Sequence, residues 1–114
     1  MNVKIKRVYE PFSKSDGHRI LIDRLWPRGI KKENAHVDQW MKEVAPSNDL
    51  REWFNHEPEK WEGFMKKYQS ELKKSAAFQE LIAEIGKHKT VTLLYSAKDE
   101  QHNNAKVVKQ FLQL

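Results

Sequence analysis

The 114-residue chain contains no cysteine. That excludes disulfides, thiolate nucleophiles, iron–sulfur ligation and thiolate zinc sites. Glycine is scarce too. The four glycines are never closely spaced, so there is no Gly-rich phosphate loop of the P-loop or dinucleotide type. No apolar run approaches the ~20 residues that a membrane-spanning helix needs. The N-terminal MNVKIKRVYEPF lacks the apolar core of a signal peptide. A soluble cytoplasmic protein, with no membrane contact, is the expectation. Ser47 and Ser96 lack a nucleophile-elbow pattern, which leaves a serine hydrolase little support. The histidines, His18, His36, His56, His88 and His102, show no HxH, HExxH or facial-triad spacing. Convergence of Asp23, Asp99 and His102 on a metal is a weak alternative, and neither a metal nor a cofactor is expected.

What the chain does contain is aromatic and basic. Four Trp, three Tyr and five Phe argue against global disorder. Lys plus Arg outnumber Asp plus Glu by 21 to 16, giving a net charge of +5. The length allows one domain, residues 1–114, with one modest core.

The order of elements is legible. Residues 3–9 alternate apolar Val3, Ile5 and Val8 with Lys4, Lys6 and Arg7, as in a strand with a basic outer face, and Glu10-Pro11 breaks it. Ser13–Gly17 reads as a turn, and Ile20-Leu21-Ile22 as a central strand apolar on both faces. Whether these two strands form a hairpin or run parallel is open. Pro27-Arg28-Gly29 reads as a loop. The spacing of Val37, Trp40, Met41 and Val44 predicts a short helix ended by Pro46. Ser47 caps a helix carrying Leu50, Trp53 and Phe54. Pro58 opens another, with Trp61, Phe64, Met65, Tyr68 and Leu72 on one face. Phe78, Leu81, Ile82 and Ile85 mark a further helix stopped by Gly86. Thr90–Tyr95 reads as a buried strand. Ala105, Val108, Phe111 and Leu112 mark a last helix running to the end of the chain. The expected class is α/β: a small, largely parallel sheet flanked by helices.

Two buried strands end in polar loops, ILIDRLWPRG (20–29) and TLLYSAKDEQHNNA (92–105). Ligands of open α/β sheets bind beyond the carboxyl ends of strands. If these two strands lie side by side, Asp23, Arg24, Trp26 and Arg28 meet Tyr95, Ser96, Lys98, Asp99, His102 and Asn103. Asp99 or Ser96 as a cap of the last helix would leave backbone N–H groups free for an anion. Arg24, Arg28 and Lys98 would hold its charge. Asp23 is the candidate general base, and His102 the candidate proton shuttle. The plain reading of Asp23 is an ion pair with Arg24, Arg28 or Arg19, and that of His102 a surface histidine. Trp40, Trp53 and Trp61 read as core. Trp26 either plugs the sheet's end, its N–H bonded to a carbonyl, or offers a base or sugar a stacking surface.

The basic balance admits a second class, a nucleic-acid accessory module using the surface lysines and Trp26. Against it, Lys66-Lys67 and Lys73-Lys74 interleave with Glu62, Glu71 and Glu80 as on a solvated face. No helix-turn-helix, zinc-finger or RNP motif is present. Without a heptad seam, a monomer and a weak dimer are equally compatible with the sequence.

VYEP (8–11), DGHRILIDRLWPRG (16–29), APSNDLREWFNH (45–56) and TLLYSAKDEQHNNA (92–105) resemble the YeaO-like branch of domain of unknown function 488. The resemblance spans nearly the whole chain. It implies a small bacterial α/β protein with a central sheet flanked by helices, and it implies no particular reaction. The broader family carries a Cys-His-Arg motif after its last strand, where this chain has Asn103, Asn104 and Ala105. Tyr95 stands where a cysteine often ends that strand. A thiol mechanism therefore does not carry over. The family's characteristic positions fall at Asp23, Arg24, Trp26, Pro27 and Arg28, and at Lys98, Asp99, His102 and Asn103.

Overall fold

The computed structural model describes residues 2–113. Four strands, β1 (Asn2–Arg7), β2 (His18–Leu21), β3 (Gln39–Trp40) and β4 (Thr90–Tyr95), form one sheet in the order β1-β4-β2-β3. Every pairing is parallel. The question of a β1–β2 hairpin is thereby answered: β4 lies between the two. Register pairs Ile5 with Leu93 and Ile20 with Leu93, so β4 is the central strand, apolar on both faces. Because all strands point one way, the segments after Arg7, Leu21, Trp40 and Tyr95 gather along a single edge.

Alternation along the strands divides the core. Ile20, Ile22, Val91, Leu93 and Tyr95 face one side, packed by Leu50 and Phe54 of α2 (Asn48–Phe54), Phe64, Tyr68 and Leu72 of α3 (Trp61–Lys73), Phe78, Leu81 and Ile85 of α4 (Ala76–Ile85), and Val107 and Val108 of α5 (Asn104–Leu112). Leu21 and Leu94 face the other side, covered by Val8, Trp26, Ile30, Val37 and Trp40. Among the described residues the second face has no long helix, only α1 (Lys32–Ala35) and the coil around it. It also holds a polar anchor. Arg19, 1% exposed, donates to Asp16 and to the carbonyls of Ala35 and His36. Lys6 reaches the same carboxylate at 3.0 Å. The basic face of β1 is therefore used internally, with Lys4 donating to the Ser15 carbonyl. Gly17 (φ +69°) is required beside it, since a Cβ there would lie 2.3 Å from the Thr90 carbonyl oxygen.

Ser47 and Ser75 cap α2 and α4 through the N–H groups of Leu50 and Phe78. Pro58 opens a 3-10 turn that runs into α3, and Gly86 ends α4. α5 ends at Leu112, and its expected extension to Leu114 lies outside the described residues.

Three expectations are corrected. Residues 37–44 are not a helix: Gln39–Trp40 is an edge strand on β2, followed by a 3-10 turn at Lys42–Val44. The apolar three-and-four spacing arises because Val37 and Trp40 face one core while Met41 and Val44 face the other. Trp53 is not core but 39% exposed, lying over Gly63 with the Lys60 and Lys67 ammonium groups 5.2 and 5.1 Å from its ring centroid. The cap of α5 is neither Asp99 nor Ser96 but Asn103, whose side-chain oxygen accepts from the Lys106 N–H at 3.0 Å. Among the described residues no helix is long and apolar enough to cross a membrane.

Candidate functional site at the carboxyl edge of the sheet

The segments that follow the four strands enclose a cleft of about 880 Å3, within the usual range for small-molecule sites. Arg7 and Tyr9 enter from β1, Asp23 to Arg28 from β2, Ala45 and Pro46 from the turn after β3, and Ser96 to Lys98 from β4. One wall is α2 with Asn55 and His56, and the other is the approach to α5, with His102, Asn103 and Asn104. Asn55 and His56 both hold left-handed backbone (φ 46° and 55°), an uncommon pair for non-glycine residues.

Asp23 fastens the two expected loops together. One carboxylate oxygen accepts from the Ser96 backbone N–H (2.8 Å) and hydroxyl (2.6 Å), and the other accepts from the Asn104 amide (3.1 Å). The same amide donates to the Ile22 carbonyl, and the Trp40 indole donates to the Asp23 carbonyl. The ion pair with Arg24, Arg28 or Arg19 does not form. Arg19 goes to Asp16, and Arg24 lies 3.7 Å from Glu43. Asp23 is thus consumed by protein donors, which suits a fastener better than a general base.

The remaining charges are mostly cationic. Arg7, Arg24, Arg28, Arg51 and Lys98 line the cleft, against Asp23 and Glu52. Arg7 is aimed by its bonds to the carbonyls of Ala97 (2.8 Å) and Ser96 (3.3 Å). The Nε of Arg24 is buried with no partner among the described residues. Arg28 is exposed, its backbone held by the Tyr9 hydroxyl at 2.9 Å. No ion pair among the described residues involves Arg7, Arg28, Arg51 or Lys98.

Asp99 and His102 form a dyad, Oδ2 to Nδ1 at 2.8 Å. The other Asp99 oxygen accepts from the N–H groups of Gln101 and His102. The His102 bond, then the Gln101 N–H, hold the Asp99 carboxyl below its ordinary range. The bond to Asp99 directs the His102 Nδ1, and the ring rests edge-on against Trp61, centroids 5.1 Å apart. Of this dyad only His102 lines the cleft.

Two expected ligand-binding residues have other surroundings. Tyr95 is buried in the main core and does not line the cleft, and burial pushes its phenol up. Asn103 touches the cleft, but its amide caps α5 and donates to the carbonyls of Asp99 and Glu100. Trp26 is half-buried, its indole N–H donating to the Ile30 carbonyl at 2.7 Å and its ring edge-on to Trp40, as the plug reading requires. Arg7, Arg51 and His56 were missed. Arg7 obeys the strand-end rule applied to β2 and β4, and applying that rule to β1 finds it. Arg51 and His56 carry no such local signal.

Comparison with known proteins places this geometry in a family. Residues 2–114 match a family profile described as the inactive DUF488-N3 subclade. The uncharacterized protein YeaO of Escherichia coli (strain K12) is 46% identical over 112 residues, covering 98% of this chain and 97% of that protein. The uncharacterized proteins Mb3100c of Mycobacterium bovis and Rv3073c of Mycobacterium tuberculosis are each 43% identical over 110 residues, covering 96% of this chain and 92% of theirs. No solved structure matches the chain. With a profile matched over 2–114 and relatives matched nearly end to end, the chain belongs to the YeaO-like, inactive DUF488-N3 branch of domain of unknown function 488.

Proposed function

We propose that the carboxyl-edge cleft binds a small anionic metabolite, phosphorylated or nucleotide-like, without turning it over. One observation carries this reading: five cationic side chains line one cleft whose acidic loop residue, Asp23, is already satisfied by protein donors. An anion entering there meets Arg7, Arg28, Arg51 and Lys98, none of them in an ion pair among the described residues, with Glu52 as the opposing charge. Arg24, Arg28 and Lys98 hold its charge, the arginines with two-pronged hydrogen bonds. Arg7 and Arg51 extend the positive lining toward β1 and α2. His102, its Nδ1–H held by Asp99, donates from Nε2 to an anion oxygen as the imidazolium. Asp23 positions the two loops. A binding role agrees with the description of the subclade as inactive.

The test is a thermal-shift screen against inorganic phosphate, pyrophosphate, nucleotides and sugar phosphates, with short single-stranded DNA as a parallel arm at low and moderate salt. A ligand at a hundred times its Kd adds about 2.7 kcal/mol, which raises Tm by roughly 10 °C for a domain of this size. The reading expects such a shift with a small anion and its disappearance in Arg28→Ala. A shift from DNA alone, falling steeply with salt, moves the assignment to nucleic acid.

A further inference from the structure

At the opposite edge of the sheet, where β2 begins, lies a cluster the cleft does not use. His18 opens β2, while Glu84 and His88 come from the last turn of α4 and the segment after it. Among the described residues these form the one group of three metal-ligating side chains whose donor atoms all lie within 4.8 Å of one another. We propose that His18, Glu84 and His88 form a binding site for a divalent transition ion of the zinc class.

The donor set is right for that ion. Two imidazoles and one carboxylate suit zinc and its first-row neighbours, whereas magnesium and calcium prefer oxygen. Glu84 divides its oxygens. Oε2 faces the Lys87 ammonium at 3.4 Å, while Oε1 faces His88 Nε2 at 3.3 Å and His18 Nε2 at 3.8 Å. A tetrahedral ion with bonds of about 2.0–2.2 Å separates its ligand atoms by about 3.4 Å, so both Glu84 pairs already stand near that spacing.

His18 Nδ1 lies 3.8 Å from an Asp38 carboxylate oxygen that accepts from the Arg19 N–H, so the nearest acid on that side of the ring is close but not hydrogen-bonded to it. The Gln39 side-chain oxygen lies 2.5 Å from His18 Nε2 and accepts from it, so ligation moves this amide aside and releases that proton. The two rings now stack, centroids 3.8 Å apart and 8° from parallel, so their in-plane lone pairs run side by side. His88 Nε2 already faces Glu84, so ligation turns its half-exposed ring about the Cβ–Cγ bond out of the stack on His18.

The experiment is a calorimetric titration of the full chain with Zn2+ near neutral pH, with Mg2+ in parallel. The variants are His88→Ala, Glu84→Gln and, as a control at the other edge, His102→Ala, each checked for native circular dichroism. His88 and Glu84 are chosen because neither lies in a strand. The expected result is one Zn2+ per chain, no Mg2+ binding, and affinity unchanged in His102→Ala. His88→Ala and Glu84→Gln should each lose more than the ~10–100-fold typical of a lost second-shell partner. Absence of saturable Zn2+ binding overturns the proposal, as does binding that survives both variants or is lost in His102→Ala.

Discussion

The Asp23 carboxylate accepts from Ser96 and Asn104 and so ties the loops after β2 and β4 together. Its neighbours Arg24 and Arg28 suggest an ion pair, yet its acceptors are filled by Ser96 and Asn104 across the sheet. Asp23→Ala leaves those donors without their acceptor, which costs about 1–3 kcal/mol, measured as a lower urea midpoint. Arg28→Ala should leave that midpoint unchanged. Asp16 carries a different burden. Burial pushes its carboxyl up, but Lys6, the Ser13 N–H and Arg19 more than offset this, so it titrates below its ordinary 3.8. Its stabilisation is full above that value and is lost as pH falls through the lower folded one. In urea titrations, the stability gap between wild type and Asp16→Asn is therefore wide near neutrality and closes in acid. A gap that stays constant with pH contradicts this account of Asp16.

At the scale of elements, much of the fold is legible because single residues mark boundaries. Ser47 and Gly86 bound their helices as expected, and Thr90–Tyr95 is a strand because β-branched and aromatic residues fill a central position between two faces. The edge strand β3 was hidden. Two residues are too few for an alternation to show, and the two cores on either side of it imitate a helical period. The cap of α5 was hidden for another reason. Ser96, Asp99 and Asn103 are all competent caps, but the Ser96 hydroxyl donates to Asp23 and the Asp99 carboxylate is taken by Gln101 and His102, which leaves Asn103. Asn103→Ala removes the bond to the Lys106 N–H and costs about 1 kcal/mol, read from the thermal midpoint. Because α5 borders the cleft, the same variant should weaken anion binding less than Arg28→Ala does.

For the whole molecule, the parallel order β1-β4-β2-β3 makes the site, since it collects four strand-end loops on one edge. Two of those loops were identifiable from their charged residues. Strand order was not, since it depends on pairings between segments as far apart as residues 2–7 and 90–95. Arg7 follows from the strand-end rule applied to β1, whereas Arg51, on α2, joins the cleft only in three dimensions. A small anion held at this edge by its cations leaves a local, saturable signature. The most direct test is a two-dimensional 15N–1H NMR titration of the full chain with pyrophosphate, with Arg28→Ala alongside. Binding at this edge gives saturable shifts confined to residues 23–28, 51–56 and 96–104, and their loss in Arg28→Ala. Shifts scattered over the lysines of α3 and α4, or identical titrations of the two proteins, would contradict it.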